Sequence, residues 1–169
     1  MMRALIRLAR DRSAAAAVEM AMVLPLLLVI AYASFEMGNY FLTEHVVQKA
    51  ARDAARYAAR LPMTNYPDCT TVPVTTIDKI EKVARTGRPD GTASNRIYTW
   101  TGAGMTQVEI TCATGQPYST GGVYQSFPAG APVVTVTATV PYGSLWGNLG
   151  FKAMNLYVYG RSQTAVFGA

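Results

Sequence analysis

Residues 13–61 read SAAAAVEMAMVLPLLLVIAYASFEMGNYFLTEHVVQKAARDAARYAARL and decide the fold. The first part of this stretch, up to Phe35, consists mainly of alanines and large apolar side chains, and Glu19 is its one charged residue. An apolar run of about 23 residues forms a helix of roughly 35 Å, which is enough to cross a hydrocarbon core of about 30 Å. We therefore predict one membrane-spanning helix, and no other stretch of the chain has a comparable apolar length.

The helix is expected to continue beyond the membrane. Residues 43–60 contain neither Gly nor Pro, and their charged side chains recur at the spacing of one helical face: Lys49, Arg52, Asp53, Arg56 and Arg60. The opposite face is a stripe of small apolar residues: Val47, Ala50, Ala51, Ala54 and Ala58. Because alanines permit close approach of another element, we predict a helix over residues 15–61 whose second half packs on a sheet, with Pro25 as the expected position of any kink.

The remaining residues predict a small α+β domain over 62–169. A short amphipathic helix is expected over residues 75–86, with Thr75 and Asp78 as a capping box and Gly87 at its end. Period-two patterns predict strands at 97–101, 106–114, 133–140 and 156–167, separated by long loops at 115–132 and 141–155. The predicted fold class is therefore α+β and pilin-like: a long N-terminal transmembrane helix continues into an alanine-rich amphipathic helix that packs on a small antiparallel sheet.

The charge distribution predicts a topology. Residues 1–14 form a basic leader with four arginines, whereas residues 36–48 carry two glutamates and no basic group. The positive-inside rule places the leader in the cytoplasm, the helix across the inner membrane as a single pass, and the 62–169 domain in the periplasm or outside the cell. The net charge of +5 is concentrated beside the apolar run rather than on a folded reading element, which argues against a nucleic-acid partner.

The two cysteines, Cys69 and Cys112, form an even pair in a domain predicted to face an oxidising compartment. We expect a disulfide between them, with a pair of unbonded core thiols as the alternative. A metal site is disfavoured, because neither a CxxC motif nor clustered histidines accompany the cysteines.

Catalytic motifs are absent from the sequence, which contains no P-loop, GxSxG, HExxH or GxGxxG. His45 is the only histidine, and the carboxylates of the C-terminal domain are scattered over different predicted elements: Asp68, Asp78, Asp90 and Glu109. We therefore expect neither an enzyme nor a cofactor-binding protein.

The presence of Glu19 in the apolar span needs an explanation, because an unpaired carboxylate there costs several kcal/mol. Its surroundings are informative: small residues flanked by arginine, then Val18-Glu19-Met20-Ala21, the Leu-Pro-Leu-Leu-Leu core, Glu36-Met37-Gly38 and an alanine-rich continuation to Ala59. This set of about 50 residues resembles the TadE-like family, the pseudopilin-type proteins of the Tad (tight adherence, Flp) pilus system. The C-terminal domain is similar only in character.

The resemblance implies a structural role in pilus assembly and specific site residues. In that family a prepilin peptidase cuts five residues before the glutamate, which here means between Ala14 and Ala15. The sequence departs from the pattern in that Ala14 stands where Gly is usual. Glu19 would then pair with the freed α-amino group of a neighbouring subunit and set the register between helices. The implied partners are the prepilin peptidase, the major Flp pilin, other minor pilins, the inner-membrane assembly platform and membrane lipid.

Three other interpretations remain open from the sequence. The chain could be an uncleaved, membrane-anchored periplasmic assembly factor. Alternatively, Ala31-Tyr32-Ala33 resembles a signal-peptidase site, and cleavage there would release a secreted, disulfide-bonded binding domain beginning at Ser34. An exported enzyme is the third, supported only by the aromatic loop residues Trp100, Tyr118, Tyr124 and Trp146.

Overall fold

The computed structural model describes residues 12–102, 104–113, 122–125, 127, 130–147 and 155–168. Within these ranges a long helix α1 (Arg12–Arg60) is followed by a short 3-10 helix (Met63–Asn65) and helix α2 (Val74–Thr86). Three strands complete the fold: β1 (Thr106–Ala113), β2 (Ala131–Pro141) and β3 (Tyr157–Ala165). The order of elements confirms the predicted α+β fold class.

Helix α1 runs through Pro25 without interruption and is shared by two compact units that divide after Asn39. In the first unit the large apolar side chains are exposed, and the most apolar window has a mean hydropathy of 2.2 with none of it buried. Among the described residues this is the one helix long and apolar enough to cross a membrane. It fits a single-pass membrane anchor, as predicted.

In the second unit, the part of α1 from Tyr40 to Arg60 contributes alanines to the hydrophobic core. The predicted apolar stripe is fully buried, and Ala55 and Ala59 extend it. The opposite face carries exposed basic side chains, as predicted: Lys49, Arg52, Arg56 and Arg60. The alanine stripe packs with valines of the sheet and with Ile80, Val83 and Ala84 of α2.

The sheet is antiparallel with the strand order β1-β2-β3, so β2 is central and the other two strands are edges. Register pairs such as Val108 with Val136 place the apolar residues of adjacent strands on the same face. Val134, Val136, Ala138 and Val140 of β2 are fully buried, and the predicted alternation is confirmed for β1 and for most of β2, where Thr135 on the other face is buried as well. Three of the four predicted strands exist, with ends within a few residues of the expected ones.

The strand predicted over residues 97–101 is wrong. These residues form turns, and the Trp100 amide donates to the Ile97 carbonyl at 3.1 Å. The indole of Trp100 is 1% exposed, so the aromatic residue that suggested a strand instead fills the core from a loop.

The predicted capping box of α2 is also wrong. The helix begins at Val74 after Pro73, and no side chain caps it. The carbonyl of Pro73 accepts from the amides of Thr76 and Ile77, while Asp78 forms an ion pair with Lys82 at 2.7 Å. The predicted end is correct, because Gly87 adopts a positive φ of 83° and its amide donates to the Val83 carbonyl.

Candidate assembly segment and its support

The residues expected to carry assembly lie in the first two turns of α1. The Ala14–Ala15 peptide bond is two residues after the helix start at Arg12, and the exposed Glu19 follows one turn later. Four residues of helix span about 6 Å, so the predicted cleavage position and the carboxylate are close in depth. The leader residues 1–11 lie outside the described ranges.

Beyond Glu19 the helix presents an apolar surface on all sides. Exposed large side chains occupy most positions up to Phe35: Met20, Met22, Val23, Leu24, Leu26, Leu27, Leu28, Val29, Ile30 and Tyr32. The hydroxyl of Ser34 donates to the Ile30 carbonyl at 2.8 Å, so this polar group is satisfied within the helix. A helix that is apolar all round requires a non-aqueous environment, either lipid or other apolar helices.

Glycines allow the second half of α1 to pack closely against β3 and the residues that follow it. A Cβ built on Gly160 would lie 2.7 Å from the carbonyl oxygen of Val47, which is closer than real side chains approach a backbone atom. Gly168 touches the carbonyls of Arg60 and Leu61 in the same way. The helix backbone therefore runs directly against the strand and the residues after it, which explains why the facing helix positions are alanines.

The carbonyls at the C-terminal end of α1 are satisfied by the chain that follows β3. The Ala59 carbonyl accepts from the amides of Phe167 at 2.9 Å and Gly168 at 3.1 Å. The Ala58 carbonyl accepts from the hydroxyl of Tyr66 at 2.8 Å. Burial of this hydroxyl, assisted by nearby Tyr57, raises its pKa, so Tyr66 stays a neutral donor. Two of the last four helical carbonyls, which have no partners within a helix, are thus paired.

The predicted disulfide is confirmed. Cys69 and Cys112 are bonded, with their Cα atoms 5.3 Å apart, and the bond links the loop after α1 to the end of β1. Next to it, Asp68 Oδ1 accepts from the amides of Thr70 at 2.9 Å and Thr71 at 2.6 Å. These hydrogen bonds, the Thr70 amide first and then the Thr71 hydroxyl and amide, lower the pKa of Asp68 to about 2. The disulfide and the Asp68 turn together fix the loop that enters α2.

An ion pair joins α1 to the turn region before β1. Arg96 Nη1 donates to Asp53 Oδ2 at 2.9 Å, and both side chains are partly buried. Asp53 was predicted only as part of a charged helical face, and its partner 43 residues away could not be identified from spacing. The Tyr66 hydrogen bond was missed for the same reason, whereas Gly160 inside a strand was a readable sign of close backbone approach.

The described residues contain no group of three or more His, Cys, Asp or Glu side chains that could hold a metal ion. His45 is exposed on α1, as expected for a solvent-facing helix position. The carboxylates Asp68, Asp78 and Asp90 are engaged by neighbouring threonine, lysine or arginine side chains, each on its own element. The candidate assembly segment is thus the apolar part of α1 up to Phe35, in which Glu19 is the one carboxylate.

One comparison with known proteins gives a match, and it lies on helix α1. The family described as TadE-like protein matches residues 14–56. No curated protein and no solved structure matches the chain. The match begins at the predicted cleavage position and ends within the alanine-rich half of α1, so it covers most of the residues on which the resemblance was based. Residues 14–56 are thus similar to the TadE-like family, and the predicted resemblance is confirmed over this segment.

Proposed function

We propose that this protein is a minor pilin or pseudopilin that takes part in assembly of a Tad/Flp-type pilus by priming, capping or joining it. The TadE-like match over residues 14–56 supports a pilus-associated, pilin-like protein. The observation that carries the finer proposal is the exposed apolar surface of α1 with the single carboxylate of Glu19 one turn after Ala15. Such a helix can be stored in a membrane and transferred to a bundle of similar helices, since both environments accept its apolar surface.

Glu19 sets the axial offset between neighbouring subunits after this transfer. If the chain is cut between Ala14 and Ala15, a new α-amino group appears about one helical turn from the carboxylate. In a bundle of parallel helices the amine of one subunit and the carboxylate of its neighbour offset each other's desolvation cost. The pair forms at only one axial offset, so it fixes how far neighbouring subunits are displaced along the filament.

The proposed location follows from the same segment. The basic leader stays in the cytoplasm, the helix spans the inner membrane once, and the domain after Leu61 lies in the periplasm until the subunit enters an extracellular pilus. The proposed partners are the prepilin peptidase, the major Flp pilin, other minor pilins, the assembly platform and membrane lipid. The role is structural rather than enzymatic, in keeping with the TadE-like match.

The first experiment separates cleaved from uncleaved forms. Intact-mass spectrometry of the protein purified from membranes should show a chain that begins at Ala15. A chain that retains its arginine-rich leader would contradict the pilin proposal and indicate a permanently anchored assembly factor. A soluble chain that begins at Ser34 would indicate a secreted domain released by signal peptidase.

The second experiment tests the role of Glu19. The Glu19→Gln variant should insert into the membrane normally, because the helix becomes more apolar. Its recovery in sheared pili should fall at least about tenfold, because the amine of the neighbouring subunit is left buried without a partner. Glu44→Gln, on the folded half of the same helix, is the matched control and should be incorporated normally. Equal incorporation of the two variants would contradict the pairing.

A further inference from the structure

We infer that the end of the folded unit at which α1 enters it binds the surface of the lipid bilayer that α1 crosses. The inference goes beyond the proposed role in a pilus and does not depend on it, because it requires only the single-pass anchor. The part of the protein that meets the lipid is the entry surface, a patch of six large exposed side chains: Phe41, Leu42, Tyr98, Leu145, Leu156 and Tyr157.

Aromatic contacts join α1 to the chain between β2 and β3. The ring centroid of Tyr40 lies 5.2 Å from that of Tyr142, and Phe41 packs edge-on beside Tyr40 at 6.1 Å. The Tyr142 amide donates to the Leu156 carbonyl at 2.8 Å, and Tyr157 begins β3 directly after it. The exposed side chains of Phe41, Leu156 and Tyr157 therefore lie at the same end of the folded unit.

Tyr98 joins this surface from the loop before β1. The hydroxyl of the adjacent Thr99 donates to the Pro141 carbonyl at 2.6 Å, which fixes the loop to the end of β2. The Tyr98 hydroxyl occupies the space that a Cβ on Gly143 would need, yet the residue as a whole is 73% exposed. The polar tip of the side chain is thus turned towards the backbone and its ring is left outside, an arrangement suited to an apolar neighbour.

Leu145 lies in a turn that follows β2. The Trp146 amide donates to the Ser144 hydroxyl at 3.1 Å, and the Gly147 amide donates to the Ser144 carbonyl at 3.3 Å. Between these bonds Leu145 is 52% exposed. The sequence from 142 to 157 contains no acidic residue, so it carries no charge that lipid phosphates would repel.

Continuity with the membrane span favours lipid as the occupant of this surface. Tyr40 follows Phe35 by five residues, or about 8 Å of helix, which is roughly the thickness of one headgroup layer. Tyrosine and tryptophan are enriched at that depth, because their rings are apolar and their polar tips remain hydrated. Glu36 and Glu44 lie one turn before and one turn after Tyr40, where the hydrated headgroups can accommodate a carboxylate.

The opposite end of β3 offers a matched control position. Phe167 is 55% exposed, and its amide donates to the Ala59 carbonyl at 2.9 Å, near the end of α1. It follows Tyr157 by ten residues, and an extended chain of that length spans up to about 33 Å. A unit that meets the bilayer with its entry surface therefore keeps Phe167 away from the lipid.

Tryptophan quenching by brominated lipid tests the contact in full-length protein reconstituted into phosphatidylcholine vesicles. The chain has two tryptophans, so Trp100→Phe leaves only the partly exposed Trp146, next to Leu145. Replacing ordinary lipid by lipid with brominated acyl chains should lower the Trp146 emission at least about twofold. In a chain with Trp100→Phe, Trp146→Phe and Phe167→Trp, the emission should not change. Equal quenching in the two chains, or quenching in neither, would overturn the inference.

Photocrosslinking repeats the comparison with both native tryptophans in place. A benzophenone amino acid replaces Leu145 in one full-length chain and Phe167 in another, since both side chains are about half exposed. Irradiation in the same vesicles should give lipid adducts, detected by intact mass, at position 145 and not at position 167. Crosslinks between two chains at position 145, in place of lipid adducts, would assign the surface to a second copy and overturn the inference.

A charge substitution tests whether apolar contact holds the surface on the bilayer. Adding Leu156→Glu to the Trp100→Phe chain should reduce the quenching of Trp146 at least about twofold, because a carboxylate is costly in an apolar environment. Phe167→Glu makes the same kind of change at the opposite end and should leave the quenching as it was. Thermal unfolding followed by circular dichroism checks that each chain is folded. Undiminished quenching in a folded Leu156→Glu chain would overturn the inference.

Discussion

The two halves of α1 use opposite kinds of side chain. From Ala15 to Asn39 the helix is built from large apolar residues that the chain leaves exposed, whereas from Tyr40 to Arg60 its apolar face is almost entirely alanine and is buried. Burying one Leu or Ile side chain is worth about 1.5–3 kcal/mol, and an alanine contributes far less. The first half of α1 could gain more free energy by burying its side chains than the second half, but within the chain those side chains stay exposed. That free energy is therefore available only from contacts outside the chain.

The alanines of the buried half allow the helix backbone to approach the strand closely, although they bury little apolar area. The carbonyl of Val47 lies against Gly160, and the carbonyl of Ala59 is bonded by two amides after β3. A larger side chain on this face would separate the helix from the strand and break these contacts. One continuous helix thus carries large exposed side chains in its first half and small buried ones in its second half, where its backbone packs closely.

The largest expected effect comes from removing the disulfide, which should destabilise only the unit beginning at Tyr40. Replacing Cys69 and Cys112 together by Ala opens a loop with a sequence separation of 43, and the chain-entropy model gives a loss of about 4 kcal/mol. Trp100, which is 1% exposed, reports unfolding by its fluorescence. Helicity of the micelle-embedded half should persist, and an unchanged denaturation midpoint would show that the bond does not support the domain.

Enlarging an alanine should destabilise the domain when the alanine lies in the second half of α1 and not when it lies in the first half. Ala54→Leu adds three carbons to a side chain that is fully buried between the helix and the domain core, and we expect a loss of about 3 kcal/mol in the free energy of unfolding. Ala33→Leu makes the same chemical change at an exposed position and should leave domain unfolding unchanged. If the two variants unfold at the same denaturant concentration, the alanines of the second half are not packed more tightly than those of the first half.

Adding a single methyl group to glycine gives a smaller effect of the same kind. Gly160→Ala places a Cβ against the Val47 carbonyl, a backbone atom that cannot rotate away, and should cost about 2 kcal/mol. Gly38→Ala is the matched control, because no atom lies within 4 Å of its added Cβ. Thermal unfolding of the two variants measures the difference, which would vanish if β3 could move away from the helix at little cost.

Periodicity predicted the parts of this fold whose neighbours are local. The apolar span, the alanine stripe, three strands and helix α2 follow from side-chain spacing, and the TadE-like resemblance followed from contiguous residues 14–56. The region around Trp100 was mistaken for a strand because local propensity was overridden by a core position that only tertiary packing defines. The Asp53–Arg96 ion pair and the Tyr66 hydrogen bond join segments far apart in sequence, so no local pattern encodes them.

The smallest expected effect concerns acid, and it too should be confined to the folded unit. Hydrogen bonds from Thr70 and Thr71 lower the pKa of Asp68 to about 2, below its ordinary value of 3.8. The folded state therefore binds fewer protons than the unfolded state, so this contribution to stability is complete above about pH 4 and is lost as the pH falls towards 2.

Asp68→Asn should flatten the decrease in melting temperature between pH 5 and pH 2, because an amide can accept the same bonds without titrating. Asp90→Asn should produce a second shift of the same kind, since Asp90 has a similarly lowered pKa of about 2 through Thr92. An Asp68→Asn chain with the acid dependence of the unmodified protein would show that this turn opens before the domain unfolds. Because the carboxylate is fully exposed, the change should be a small shift in the acid limb rather than a change in stability at neutral pH.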